Sequence, residues 1–91
     1  MDMLSVNIHV SGKVQGVFFR ESARRMAESM NITGSVRNLD DGRVLIEAQG
    51  RPEDVKRFIK WCHNGPPAAR VQAVLVESVD ALGTNAFTIL R

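Results

Sequence analysis

Arg20 stands directly after a glycine-bounded segment, Gly12-Lys13-Val14-Gln15-Gly16-Val17-Phe18-Phe19, where a helical pattern begins. A turn of this kind running into a helix leaves several backbone N–H groups without intrahelical partners. These groups converge, the helix dipole adds partial positive charge, and the result suits an anion, phosphate above all. Arg20 adds a planar guanidinium that grips two phosphate oxygens at once, which lysine cannot do. A second candidate, Asn38, lies between Arg37 and a tight turn. Its amide donates and accepts together, so opposite a held phosphoryl group it can orient a water molecule for in-line attack. The Gly-Lys-[Ser/Thr] ending of a Walker A loop and the Gly-x-Gly-x-x-Gly of a dinucleotide fingerprint are both missing. By spacing alone, the same residues also fit a solvated arginine on a helix face and a structural asparagine beside a turn.

The elements that must position these residues follow from periodicity. Val6, Ile8 and Val10 alternate with polar neighbours and predict a half-buried strand that Ser11-Gly12 ends. Phe19, Ala23, Met26, Ala27 and Met30 recur at helical spacing, with a stop near Asn31 and Gly34. Val36 to Leu39 predicts a second strand, Asp40-Asp41-Gly42 a hairpin turn, and Val44, Ile46 and Ala48 a third strand. Pro52 opens a second helix with Glu53 and Asp54 in its first turn. Its apolar stripe is Val55, Phe58, Ile59 and Cys62, and Gly65-Pro66-Pro67 stops it. Val71 to Glu77 predicts a fourth strand, whose apolar run leaves its faces unassigned and fits a bulge. Phe87 to Leu90 predicts a short last strand.

The order is β-α-β-β-α-β with one strand added, a split βαβ pattern. The expected fold is therefore α+β, a ferredoxin-like sandwich with two helices on one face of an antiparallel sheet of four or five strands. A βαβ crossover returns the second strand parallel to the first, and the third inserts between them. The carboxyl ends of strands one and two then lie about 10 Å apart at the same end of the sheet. The loop from Gly12 to Arg20 and the segment around Asn38 accordingly face a common site.

Composition narrows the function classes. The 91 residues are 44% hydrophobic and 24% charged, which fits a single globular domain over residues 1–91 and argues against disorder. The formal charge of +2 is far from that of a strongly nucleic-acid-binding surface. One cysteine, Cys62, excludes an intramolecular disulfide framework, and His9 and His63 are too far apart in sequence for a familiar metal motif. No apolar run approaches the roughly 20 residues of a membrane helix. The start, Met1-Asp2-Met3-Leu4, has no cationic leader region. The expectation is a cytoplasmic monomer. An RNA-binding sheet would need stacking aromatics, and tyrosine is absent, with no aromatic on strands one and three.

At these residues the chain resembles the acylphosphatases. Gly12-Lys13-Val14-Gln15-Gly16-Val17-Phe18-Phe19-Arg20 meets every fixed position of their Gly-x-Val-Gln-Gly-Val-x-Phe-Arg signature. Gly34, Val36, Asn38, Asp41 and Gly42 match the second signature in register, and Gly65-Pro66-Pro67 matches a third family segment. The resemblance implies hydrolysis of acyl phosphates to a carboxylate and inorganic phosphate, without metal or cofactor. It implies that Arg20 and the backbone N–H groups of Gln15, Gly16, Val17, Phe18 and Phe19 hold the phosphoryl group, where inorganic phosphate or sulfate can also sit. It further implies that Asn38 positions water. Two positions depart from the family: Ser35 replaces a frequent aromatic and Leu45 a frequent glutamate. A rival on the same fold is a non-catalytic module that binds phosphate or carbamoyl phosphate. Cys62, the helix-one methionines, His9 and His63 read as structural, Arg24 and Arg25 as a solvated face, and Trp61 as lying off the main stripe of helix two.

Overall fold

The computed structural model describes residues 2–91; Met1, the first residue of the leader reading, lies outside them. Seven elements follow in the order β1 (Leu4–Lys13), α1 (Phe19–Ser29), β2 (Thr33–Asn38), β3 (Val44–Gly50), α2 (Pro52–Cys62), β4 (Arg70–Ser78) and β5 (Phe87–Ile89). They form one five-stranded sheet with the strand order β4-β1-β3-β2-β5. Strand β3 separates β1 from β2 as the crossover argument requires. β1 to β4 are antiparallel neighbours, whereas β5 joins β2 in parallel, with Gly34 opposite Phe87 and Val36 opposite Ile89. The sheet is therefore mixed rather than antiparallel throughout. β4 and β5 occupy opposite edges, so residues 79–86 must run from one edge to the other. That path brings β5 in alongside β2 pointing the same way.

Alternation sets the two faces. Val76, Ile8, Ile46, Val36 and Ile89 form one row across all five strands. Four of them pack in or against the core, and Val76 remains exposed at the edge. Both helices cover this face. α1 lies over β2 and β5, and α2 lies over β1 and β3. α1 buries Phe19, Ala23 and Ala27; α2 buries Val55, Phe58 and Cys62, together with Asp54. The sequence pattern marked Asp54 as a first-turn acid but not as a buried one. It is tolerated inside because Arg51 and Arg57 reach it at 3.2 and 3.3 Å. Burial of Cys62 pushes its thiol up to about 12, so it stays protonated and inert.

The expected irregularity in β4 is present. The register against β1 shifts between Ser11 and Gly12, which face Ala73 and Val71, leaving Gln72 as the extra residue. Trp61 turns back onto the core edge, with its ring 5.4 Å from Phe19 and 5.8 Å from Phe58. Arg24 is only partly a solvated residue, being half-buried and paired with Glu21 at 2.6 Å.

The stop after α2 has a second duty. Gly65 adopts φ 66°, and its N–H donates to Trp61 O at 2.8 Å. A Cβ there would sit 2.7 Å from Cε2 of Phe19, the first residue of α1. The loop thus presses on the ring that anchors the start of α1. Gly65→Ala should destabilise the fold by about 2–3 kcal/mol, from a left-handed backbone and overpacking together. Urea unfolding should show a lowered midpoint with an unchanged slope.

Candidate active site

The loop between β1 and α1 is fixed by alternating burial. Val14, Val17 and Phe19 point into the core, while Gly16 and Phe18 point out. The inward residues anchor the loop, and the outward ones expose its backbone. Gly16 and Phe18 are both left-handed, at φ 75° and 64°. Left-handed residues interleaved with right-handed ones curl successive N–H groups toward one point, forming a nest for an anion. The first main-chain bond of α1 runs from Ser22 N to Phe18 O. Among the described residues, no N–H from Gln15 to Phe19 donates to a main-chain carbonyl.

Among the described residues, nothing caps this end of α1. Phe18 is the N-cap residue and makes no side-chain cap. The acidic residue of the first turn, Glu21, is drawn toward the next turn by Arg24 at 2.6 Å and Arg25 at 3.3 Å. The hydrogen bond from Arg24 holds the Glu21 carboxyl below its usual range. α2 is the contrast, with Pro52 at its first position and Glu53 and Asp54 in its first turn. Its first turn has a proline that needs no N–H partner and two acids beside the remaining N–H groups, whereas the N–H groups at the start of α1 stay available to a ligand.

Asn38 is the last residue of β2. It pairs with Val44, which pairs with Val10, so it lies on the helix-covered face at the end where the loop leaves β1. A cleft of about 290 Å³ opens there, and Gly16, Phe18, Phe19, Arg20, Asn38 and Ile89 line it. Arg20 and Asn38 therefore share one cleft. Arg20 is half-buried, and its Nη1 donates to Leu90 O at 3.1 Å. Leu90 N in turn donates to Val36 O at 2.8 Å. Leu90, the residue after β5, thus holds the guanidinium from behind, and among the described residues its other N–H donors make no hydrogen bond.

The side chain of Gln15 has a duty that the spacing of the sequence did not reveal. Its Nε2 donates to Leu39 O at 2.8 Å and to Arg43 O at 2.9 Å. These carbonyls belong to the hairpin that carries Asn38, so one amide ties the loop before α1 to the end of β2. The turn is also braced from within. The Asp41 carboxylate accepts from Arg43 N at 3.1 Å and Arg43 Nε at 2.8 Å. The only available signal was Asp two residues before Arg in a turn, an Asx-type pattern. Among the described residues, no group of three or more His, Cys, Asp or Glu side chains is placed to hold a metal ion.

An α+β sandwich with an uncapped helix N-terminus, an arginine and an asparagine at one end of its sheet defines a class of small phosphate-handling domains. The acylphosphatase family profile matches residues 6–89 of this chain. An acylphosphatase of Natronomonas pharaonis is 43% identical over 90 residues, spanning 99% of this chain and 98% of the relative. One of Rubrobacter xylanophilus is 51% identical over 78 residues, spanning 86% and 71%. The solved acylphosphatase of Coxiella burnetii superposes with a TM-score of 0.94 at 38% identity, covering 98% of this chain and 94% of that one. The chain belongs to the acylphosphatase family, and its activity is the hydrolysis of acyl phosphates.

Two expectations follow for the tie between loop and hairpin. Gln15→Glu should be more damaging than Gln15→Ala at neutral pH, because a carboxylate faces two carbonyls and donates nothing. Each loss should cost about 1–3 kcal/mol. Stability of the Glu variant should recover as its carboxyl protonates, a pH-dependent rise that thermal melts of the Ala variant should lack. The Asp41 carboxyl lies below its ordinary 3.8, first through the Arg43 backbone hydrogen bond and then through the Arg43 side chain. A depressed carboxyl stabilises the fold above its unfolded value and loses that contribution as pH falls through the folded one. Carboxyl NMR should therefore place the Asp41 midpoint below 3.8.

Proposed function

We propose that Arg20 and the N–H groups of Gln15 to Phe19 hold the phosphoryl group of the substrate while Asn38 positions the attacking water. The observation that supports this most directly is the shared cleft, in which the uncapped start of α1, Arg20 and the end of β2 meet. Phosphoryl transfer depends mainly on positioning and on stabilising charge over the transferred oxygens. Arg20 and the converging N–H groups supply that charge, already oriented before the reaction. An acyl phosphate has a good leaving group, so little acid–base assistance is required. A phosphate oxygen of the substrate takes the proton of the water. No metal or cofactor takes part in this reading, and the chain acts as one domain over residues 1–91, as a monomer in the cytoplasm.

Arg20→Lys should lose bidentate grip, so phosphate affinity and turnover fall together. Asn38→Ala should keep phosphate affinity and lower kcat on the order of 10²–10³-fold, as loss of a preorganised polar group does. Hydrolysis of benzoyl phosphate with a chelator present, beside phosphate titrations, reads all of this. Normal phosphate affinity in Arg20→Lys, parental turnover in Asn38→Ala, or loss of activity to the chelator would each remove the corresponding part. Phosphate binding without turnover in the parent would instead favour the non-catalytic module.

A further inference from the structure

Phe18 is left with 81% of its surface exposed, more than any other large apolar residue among those described. A lone exposed apolar side chain is ordinary, but this one combines three features. Its backbone is left-handed, a conformation that bulky residues adopt only with strain. It lines the cleft that Arg20 and Asn38 share. Ile89, on β5, also lines that cleft.

Neither loop geometry nor folding accounts for a phenylalanine here. The nest of N–H groups needs a left-handed residue at position 18, and glycine or asparagine would supply it with less strain. The core does not need the ring, because Val17 and Phe19 on either side fill the interior. What remains is an apolar face beside the phosphate site, open to whatever enters. The phosphoryl end of a substrate is fixed at the N–H groups and Arg20. Its acyl group hangs from one bridging oxygen and so must lie within a few ångströms, against the cleft wall. About 290 Å³ leaves room for a small acyl group only, at the lower limit of ligand sites.

We propose that the Phe18 ring is the platform on which the acyl group lies, and that it makes the enzyme favour acyl phosphates with a flat, uncharged, apolar acyl group over short-chain ones. This rests on the assignment of the phosphate site above and names the substrate class of that site. Ring faces bind flat apolar groups through burial and offset stacking. The selectivity should therefore appear in binding, before any chemistry.

Benzoylphosphonate and acetylphosphonate, which resist hydrolysis, test this by titration calorimetry against the parent, Phe18→Asn and Phe18→Tyr. The reading is the ratio of the two affinities, so a change in the loop that affects both probes cancels. The parent should prefer the benzoyl probe roughly tenfold, the order expected for one stacked ring. Phe18→Asn, whose side chain tolerates the left-handed backbone, should bring the ratio close to one. Phe18→Tyr should keep the parental ratio. A parental ratio near one, or an undiminished ratio in Phe18→Asn, overturns the proposal. If Phe18→Asn does not fold, Phe18→Leu replaces it, with the ratio expected to fall by part of the same amount. Failure of both phosphonates and inorganic phosphate to bind the parent would overturn the phosphate site and the platform together. Binding at the expected ratios without hydrolysis of benzoyl phosphate would support the platform and overturn the catalytic assignment alone.

Discussion

One side-chain amide holds the two halves of the site in register. Gln15 reaches 24 residues along the chain to Leu39 O and 28 to Arg43 O. Without those bonds, the anion loop and the hairpin would be joined at this end only through their strands. β1 and β2 are not neighbours, because β3 lies between them. Sheet hydrogen bonding therefore fixes their separation but not the posture of the loops beyond their ends. An amide suits the role because its NH₂ has two donors, and both are used on carbonyls. Hydroxyl side chains are too short, and a lysine would bring a second positive charge toward Arg20.

At the same end of the sheet, a helix terminus is left without the partners that make it a structural end. α1 and α2 are each 11 residues long, and they treat their N-termini in opposite ways. α2 begins with a proline and places two acids, Glu53 and Asp54, in its first turn, both also paired with arginine. α1 begins on a residue without a capping side chain and turns its nearby acid toward arginines. The unsatisfied N–H groups that would be a defect elsewhere are, in the proposed function, the means of binding.

Most of this arrangement was legible in the sequence. Period-two and period-3.6 patterns give the strands, helices and crossover, and the topology alone brings Arg20 and Asn38 to one end. What was not legible depends on distant partners. β5 is three residues long, too short for its pattern to declare a direction, so its parallel pairing with β2 emerges only from the path of residues 79–86. The Gln15 side chain sits beside the glycine turn, and nothing local distinguishes an amide that reaches a hairpin from one that faces water. Asp54 looked like a dipole residue at a helix start. It is also a buried acid, held there by arginines three residues before and after it. Hydropathy patterns report which face a residue takes, and they are silent about hydrogen bonds made across the fold.

The contact between Arg20 and Leu90 spans 70 residues of chain. A ribosome adding about 5–20 residues each second needs roughly 4–14 s to cover that stretch. By its end the residues of α1 and of the hairpin with Asn38 have been made, yet until Leu90 follows the arginine lacks this carbonyl to rest against. Closing so distant a contact costs more entropy than any local one. The proposed phosphate site therefore waits for Leu90, 70 residues after the arginine it supports.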